Sequence, residues 1–136
     1  MGSMQAIRIV VPGRPVPKQR PRLGVRMRGR RMVEAHVYTP RETRQYEEHV
    51  RECAWAAGAK PLEGDVVLEI DAWFRGRHPD GDNILKSVAD ALKEVAYRDD
   101  RQVVKWVCRI HKAKNRDEER AEIVVRPATE ADRHAG

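Results

Sequence analysis

Acidic side chains are missing from one long stretch of this 136-residue sequence: between Arg14 and Arg31 there is none. Aromatics are also scarce, 5% of the chain with a single phenylalanine, so a hydrophobic core must be built from aliphatic side chains. Cysteine is nearly absent. Cys53 and Cys108 stand far apart among apolar neighbours, with no CxxC and no histidine pair, which argues for two buried, reduced thiols rather than a disulfide, a zinc site or a nucleophile. No apolar run approaches the roughly 20 residues of a membrane span, and no charged leader followed by a hydrophobic segment opens the chain. These absences point to a soluble, cytosolic protein. Met1-Gly2-Ser3 before Met4 reads as a cloning scar and is set aside. With 35% charged residues, the chain has room for one compact domain with a modest core, of the kind that finishes burying its surface by dimerising.

What the acid-free stretch holds instead is base. Arg14, Lys18, Arg20, Arg22, Arg26, Arg28, Arg30 and Arg31 fall within it, and they dominate a net charge of +6. Arginine outnumbers lysine there, and its planar fork grips phosphate oxygens two at a time. A solvated basic loop is the bland alternative; the net charge favours polyanion binding.

Hydrophobic periodicity gives the order strand, helix, strand, helix, strand, strand. The first strand is Gln5 to Val11, and the prolines at 12, 15, 17 and 21 then place the basic run on a long exposed arm. The second half of the arm, Leu23 to Tyr38, is read as a ragged hairpin around Arg28-Gly29-Arg30. Thr39-Pro40-Arg41-Glu42 has the pattern of a capping box opening a helix that runs to about Ala57, stopped by Gly58. Asp65 to Phe74 alternates as a strand with one apolar and one more polar face. Asp82 to about Ala96 is a second helix, with Ile84, Leu85, Val88, Leu92 and Val95 on one arc. Gln102 to Ile110 and Ala121 to Val125 are the last strands, and the polar tail from Ala128 is expected to be disordered. The fold expected is therefore α/β (α+β): a single domain, with a mixed four-stranded sheet backed by two helices.

Asp80, Asp82 and Asp100, with Asp99 beside the last, are the acids that need explaining. Asp80-Gly81-Asp82-Asn83 follows a strand and opens a helix; Asp99-Asp100 leads from that helix into the next strand. Singly these are ordinary turn and cap residues. Together, in a basic chain, they suggest a site for a hard cation such as Mg²⁺, which prefers carboxylate oxygens and retained waters. A parallel crossover would hold the two loops at opposite ends of the sheet; a helix folded back would let them cluster. Pattern alone leaves both open. Lys86, one helical turn after Asp82, is either a surface ion-pair partner or an ammonium aimed at developing negative charge.

Pro79-Asp80-Gly81-Asp82-Asn83-Ile84-Leu85-Lys86, then Asp90-Ala91-Leu92, then Asp99-Asp100-Arg101-Gln102-Val103 resembles the signature of the RusA family of Holliday (crossover) junction endodeoxyribonucleases. Pro15-Val16-Pro17-Lys18-Gln19-Arg20-Pro21-Arg22 and Tyr38-Thr39-Pro40 are similar to phage and Gram-positive-type members. The resemblance spans Gly13 to Val125. It implies a homodimeric endonuclease of the bacterial or phage-infected cytosol that makes paired, symmetric nicks in four-way DNA junctions during DNA recombination and repair. It implies Mg²⁺ as cofactor, with Mn²⁺ able to substitute. It implies catalytic roles for Asp80, Asp82, Asp100 and Lys86, and metal ligation by the same three acids together with Asp99, all converging on one site. Val95 to Arg98 is one residue shorter than in the family's bacterial archetype, and Asp100 is favoured over Asp99 as the ligand. A non-catalytic DNA-binding module and a metal nuclease for other branched or RNA substrates are the competing readings.

Overall fold

The computed structural model describes residues 6–134; Met1 to Ser3 and Gln5 lie outside the described residues. The chain runs through β1 (Ile7–Pro12), β2 (Arg22–Arg28), β3 (Arg31–Tyr38), α1 (Arg41–Ala56), β4 (Val66–Phe74), α2 (Gly81–Leu92), β5 (Val103–Lys112), β6 (Arg120–Pro127) and α3 (Glu130–His134). Four strands form one mixed sheet in the order β1-β6-β4-β5, while β2 and β3 pair only with each other. The expected α+β architecture is what forms.

The alternation in β4 shows why. Val66, Leu68, Ile70, Ala72 and Phe74 are buried, facing one way. They meet Tyr46, Val50 and Ala54 of α1 and Ile84, Val88 and Leu92 of α2 in a core that also takes Ile9, Val11, Ile123 and Val125. Glu69 and Asp71 face the other way and pair with Arg109 of β5; Glu69 also takes Arg126 of β6. Both long helices thus lie on the apolar face, while the short α3 covers one end of the charged face, its Asp132 paired with Arg126 and Lys105. A helix-backed sheet needs no more than this period-two pattern.

The topology settles the open geometry. β6 is antiparallel to both β1 and β4, but β4 and β5 are parallel, with Val66 opposite Val103 and Phe74 opposite Lys112. α2 is therefore the crossover between two parallel neighbours, as such a pair requires.

Three local expectations change. Thr39 does not cap α1: Pro40 holds the N-cap position, with no side-chain cap bond, so Thr39 lies one residue too far out to reach the first amides. α2 stops at Leu92, not near Ala96, because Glu94 turns left-handed (φ 67°) and swings Tyr97 into the core. There the Tyr97 hydroxyl donates to the Ala89 carbonyl at 2.8 Å. The tail is ordered as far as α3, since its polar residues are paired: Asp132 accepts from the Thr129 amide and the Arg126 guanidinium, both at 2.8 Å.

Tyr97 closes the C-terminal end of the crossover helix, which yields a direct test. Tyr97→Phe keeps the ring and removes one of two donors to the Ala89 carbonyl, which retains the Lys93 amide, so stability should fall by about 1 kcal/mol. Tyr97→Ala should cost about 3–5 kcal/mol through the cavity it leaves. Urea unfolding followed by circular dichroism measures both.

Candidate functional site

The loop from β4 into α2 carries the first acids, and it is built rather than left to hang. Glu119, 7% exposed at the head of β6, accepts from the Arg75 amide at 2.9 Å and from the Arg14 guanidinium at 2.6 Å. Arg14 in turn donates to the Arg75 carbonyl at 3.1 Å and to the Arg77 carbonyl, and lies 5.0 Å from the centre of the Phe74 ring. Gly76 (φ 74°) makes the bend between those two carbonyls, a conformation glycine adopts without strain. This clamp delivers the chain to Asp80.

Asp80 is the N-cap of α2: its Oδ1 accepts from the Asp82 amide at 3.1 Å. Its other oxygen makes no hydrogen bond or ion pair among the described residues. The Asp82 carboxylate, exposed one step into the helix, makes none either. Lys86 follows one turn later and is also exposed, yet the two form no ion pair, so mutual neutralisation does not account for them. Asp82, Leu85, Lys86 and Trp106 line an open cleft of about 400 Å³, whose wall is mostly apolar. Lys86 also borders a second cleft of about 340 Å³ with Lys18, Gln19, Arg20, Pro21 and Asn83. An ammonium between two clefts, near two acids and paired with neither, is available to an anion.

Asp99 and Asp100 have different surroundings. Asp99 caps the short 3-10 turn Asp100–Gln102, accepts from the Arg101 amide at 2.9 Å and pairs with the Arg101 guanidinium at 3.1 Å, which holds its carboxyl below the ordinary value. Gln102 completes the turn: its amide oxygen accepts from the Arg98 and Asp99 amides, and its nitrogen donates to the Leu62 and Gly64 carbonyls. The Asp100 carboxylate is exposed and engages no donor among the described residues. The local geometry thus commits Asp99 to the turn and leaves Asp100 open.

The acids do not converge within one chain. A Cβ on Gly81 would touch Cys108 of β5, so the head of α2 lies over Cys108, while Asp100 precedes β5 at Val103. Five residues of strand, roughly 16 Å, separate those levels. No group of three potential metal-ligating side chains exists among the described residues. The structure brings Asp80, Asp82 and Lys86 together and holds Asp99 and Asp100 apart from them.

The basic residues also divide. Arg14 is spent on the clamp. Lys18 bridges Glu47 of α1 and Asp90 of α2, each at 2.9 Å, and its amide donates to the Asn83 carbonyl at 2.7 Å. Burial works against its charge, but the two carboxylates outweigh that and raise its pKa. Arg20 is exposed at the second cleft. Arg22, Arg26, Arg28, Arg30 and Arg31 are exposed along the β2–β3 hairpin, where Arg26 comes only within 3.9 Å of Glu34. Sequence reasoning did not find Glu119, hidden in the run Asp117-Glu118-Glu119, nor Trp106, whose place in the cleft wall depends on which strand lies under α2.

The family model described as endodeoxyribonuclease RusA matches residues 12–126. No curated protein matches the chain.

The clamp predicts a local effect. The Arg75 amide, and with it the Arg14 guanidinium, outweighs burial and holds the Glu119 carboxyl below its ordinary value. A depressed folded pKa contributes stability that is fully present above the unfolded value, about 4.5, and is lost as pH falls through the folded one. Glu119→Gln should therefore speed amide exchange in residues 75–78 by about ten-fold at neutral pH while leaving α1 unchanged. It should also remove the acid sensitivity of that loop. Hydrogen exchange read by mass spectrometry at pH 7 and pH 4 checks both statements.

Proposed function

Since the chain belongs to the RusA endodeoxyribonuclease family and is thus an enzyme that cuts phosphodiester bonds within DNA, we propose that it resolves four-way DNA junctions by paired, symmetric nicks, as a Mg²⁺-dependent homodimer. The observation that carries this reading is the grouping at the head of α2: Asp82 and Lys86 line an open cleft beside the helix-capping Asp80, and neither has a hydrogen-bond or ion-pair partner among the described residues. Such charges left unpaired suit a ligand that brings its own.

The donors fit a hard divalent cation. Asp82 offers a free carboxylate and Asp80 a free oxygen, both hard ligands of the kind Mg²⁺ accepts alongside water. When bound, the ion supplies charge neutralisation at the phosphate and an oriented, acidified water. The chain's own part is separate. Leu85 and Trp106 keep the cleft wall apolar, which strengthens every charge interaction within it. The Lys86 ammonium opposes the negative charge that builds on the phosphate oxygens.

The topology supports a site shared between two subunits. One chain holds Asp100 and Asp82 at opposite ends of a parallel crossover, so Asp100 reaches the acids only from a second copy. β5 runs between the two loops as an edge strand, exposing Val104 and Trp106. Antiparallel pairing of β5 with its copy exchanges the ends, which sets the Asp100 turn of each chain toward the Asp82 end of the other. A two-fold pair of sites also matches the symmetry of a four-way junction. Grip on the DNA backbone falls to Arg20, Arg22, Arg26, Arg28, Arg30 and Arg31, by charge rather than by reading bases.

An end-labelled synthetic four-way junction with Mg²⁺ tests the reaction: two opposed nicks are expected, none in excess EDTA, and equal cutting in both would sink the metal mechanism. Asp82→Asn should abolish nicking while junction affinity holds or rises, since a carboxylate that repels phosphate is gone. Lys86→Ala should lower the rate about 10²- to 10³-fold without a change in melting, as loss of an electrostatic stabiliser does. Mixing Asp82→Asn with Asp100→Asn tests the shared site. Subunit exchange should restore single nicks at about a quarter of the wild-type number of sites, because half the dimers are mixed and each carries one intact site. A site contained within one chain recovers nothing.

A further inference from the structure

The β2–β3 hairpin stands off the domain and packs substantially only on itself. Its register sorts the side chains into two unlike faces. Leu23 opposite Val37 and Val25 opposite Ala35 share one face, which carries no charge, and past the bulge between Arg26 and Met27 that row continues with Met27 opposite Met32. Arg22 opposite Tyr38, Arg26 opposite Glu34 and Arg28 opposite Arg31 share the other, and Arg30 sits at the tip. The apolar face is open: Leu23 is 66% exposed, Met32 58% and Val37 70%. A lone two-stranded hairpin is marginal in water, and a continuous apolar surface of this kind marks a binding site.

Charge decides what covers it. Glu34 is the hairpin's single acid against Arg22, Arg26, Arg28, Arg30 and Arg31. A second hairpin laid on the first brings five more arginines and no surplus acid to answer them. A polyanion answers them, yet the outside of a regular duplex offers an apolar surface little to touch. DNA exposes broad apolar area only where stacking is interrupted and base faces are bared. We propose that the apolar face of the β2–β3 hairpin docks on nucleobases left unstacked at a DNA branch point, with its arginines on the adjoining phosphates. A ribbon entering between two arms meets bases on one side and backbone on the other. The hairpin is then the element that selects branched DNA over linear duplex. This rests on the junction reading and adds to it the means of selection.

The test replaces Leu23, Met27 and Met32 by serine in an Asp82→Asn background, which keeps the DNA uncut. All three side chains are more than half exposed, so the fold has little to lose. Affinities for a four-way junction and for an equal length of linear duplex are measured at one salt concentration, and 2-aminopurine at the branch point reports base contact. The expected result is about a ten-fold loss of junction affinity, the order seen when base contacts are removed. Duplex affinity should be unchanged and the 2-aminopurine response lost. Arg28→Gln, Arg30→Gln and Arg31→Gln should instead weaken both ligands together and flatten the salt dependence. An unchanged junction-to-duplex ratio in the serine variant overturns the proposal. So does a shift to a smaller species in sedimentation, which would assign the face to contact between copies. A parent protein with no junction preference removes the junction reading itself, and this inference with it.

Discussion

Two parallel neighbours in a sheet cannot be joined by a turn, and the pairing of β4 with β5 therefore dictates most of what lies around it. The chain must leave the end of β4, travel back over the sheet, and enter β5 from the opposite end. α2 makes that return; its twelve residues, roughly 18 Å of helix, match most of the strand length. One charged loop is thereby fixed at each end. The apolar arc of α2 has to face down to close the core, so Asp82 and Lys86 face up. The cleft, the unpaired charges and the distance to Asp100 all follow from the direction of one strand pair.

The two populations of basic residues show how burial divides labour within a single run of sequence. Arg14 and Lys18 sit where the arm still crosses the helical layer, among carboxylates contributed by the turn before β6, by α1 and by α2, and they act as internal ties. Beyond Pro21 the chain leaves that layer, and the five hairpin arginines have solvent, one another and the single acid Glu34. The same residue type holds a loop in the first case and waits for a ligand in the second. Composition cannot tell these apart, because position relative to the core decides.

How much of this was legible in the sequence follows the same line. Periodicity identified every strand of the main sheet and both long helices, since β4 and α2 each show a clean apolar face. Gly29 (φ 63°) marked the hairpin turn correctly. Periodicity names faces but not neighbours, so parallel and antiparallel returns from α2 looked alike. The convergence of all three acids is accordingly absent within one chain. The error at Thr39 arose from setting Pro40 at the first helical position, whereas Pro40 takes the cap position itself. The tail looked unstructured because it is polar, but Asp132 finds Arg126, a partner brought near only by the folded sheet. Glu119 had no distinguishing mark at all: three acids stand in a row, and the turn before β6 buries one of them.

Holding Asp82 and Asp100 at opposite ends of one crossover has a consequence for how such a nuclease lives with a genome. If the reactive grouping exists only where two chains meet, a solitary chain is inert. At concentrations below the dimer dissociation constant, active pairs grow with the square of chain abundance. A few stray copies then do negligible harm to intact chromosomes, whereas a burst of synthesis switches cutting on steeply. Mass action would serve as the safety catch, with no inhibitor required.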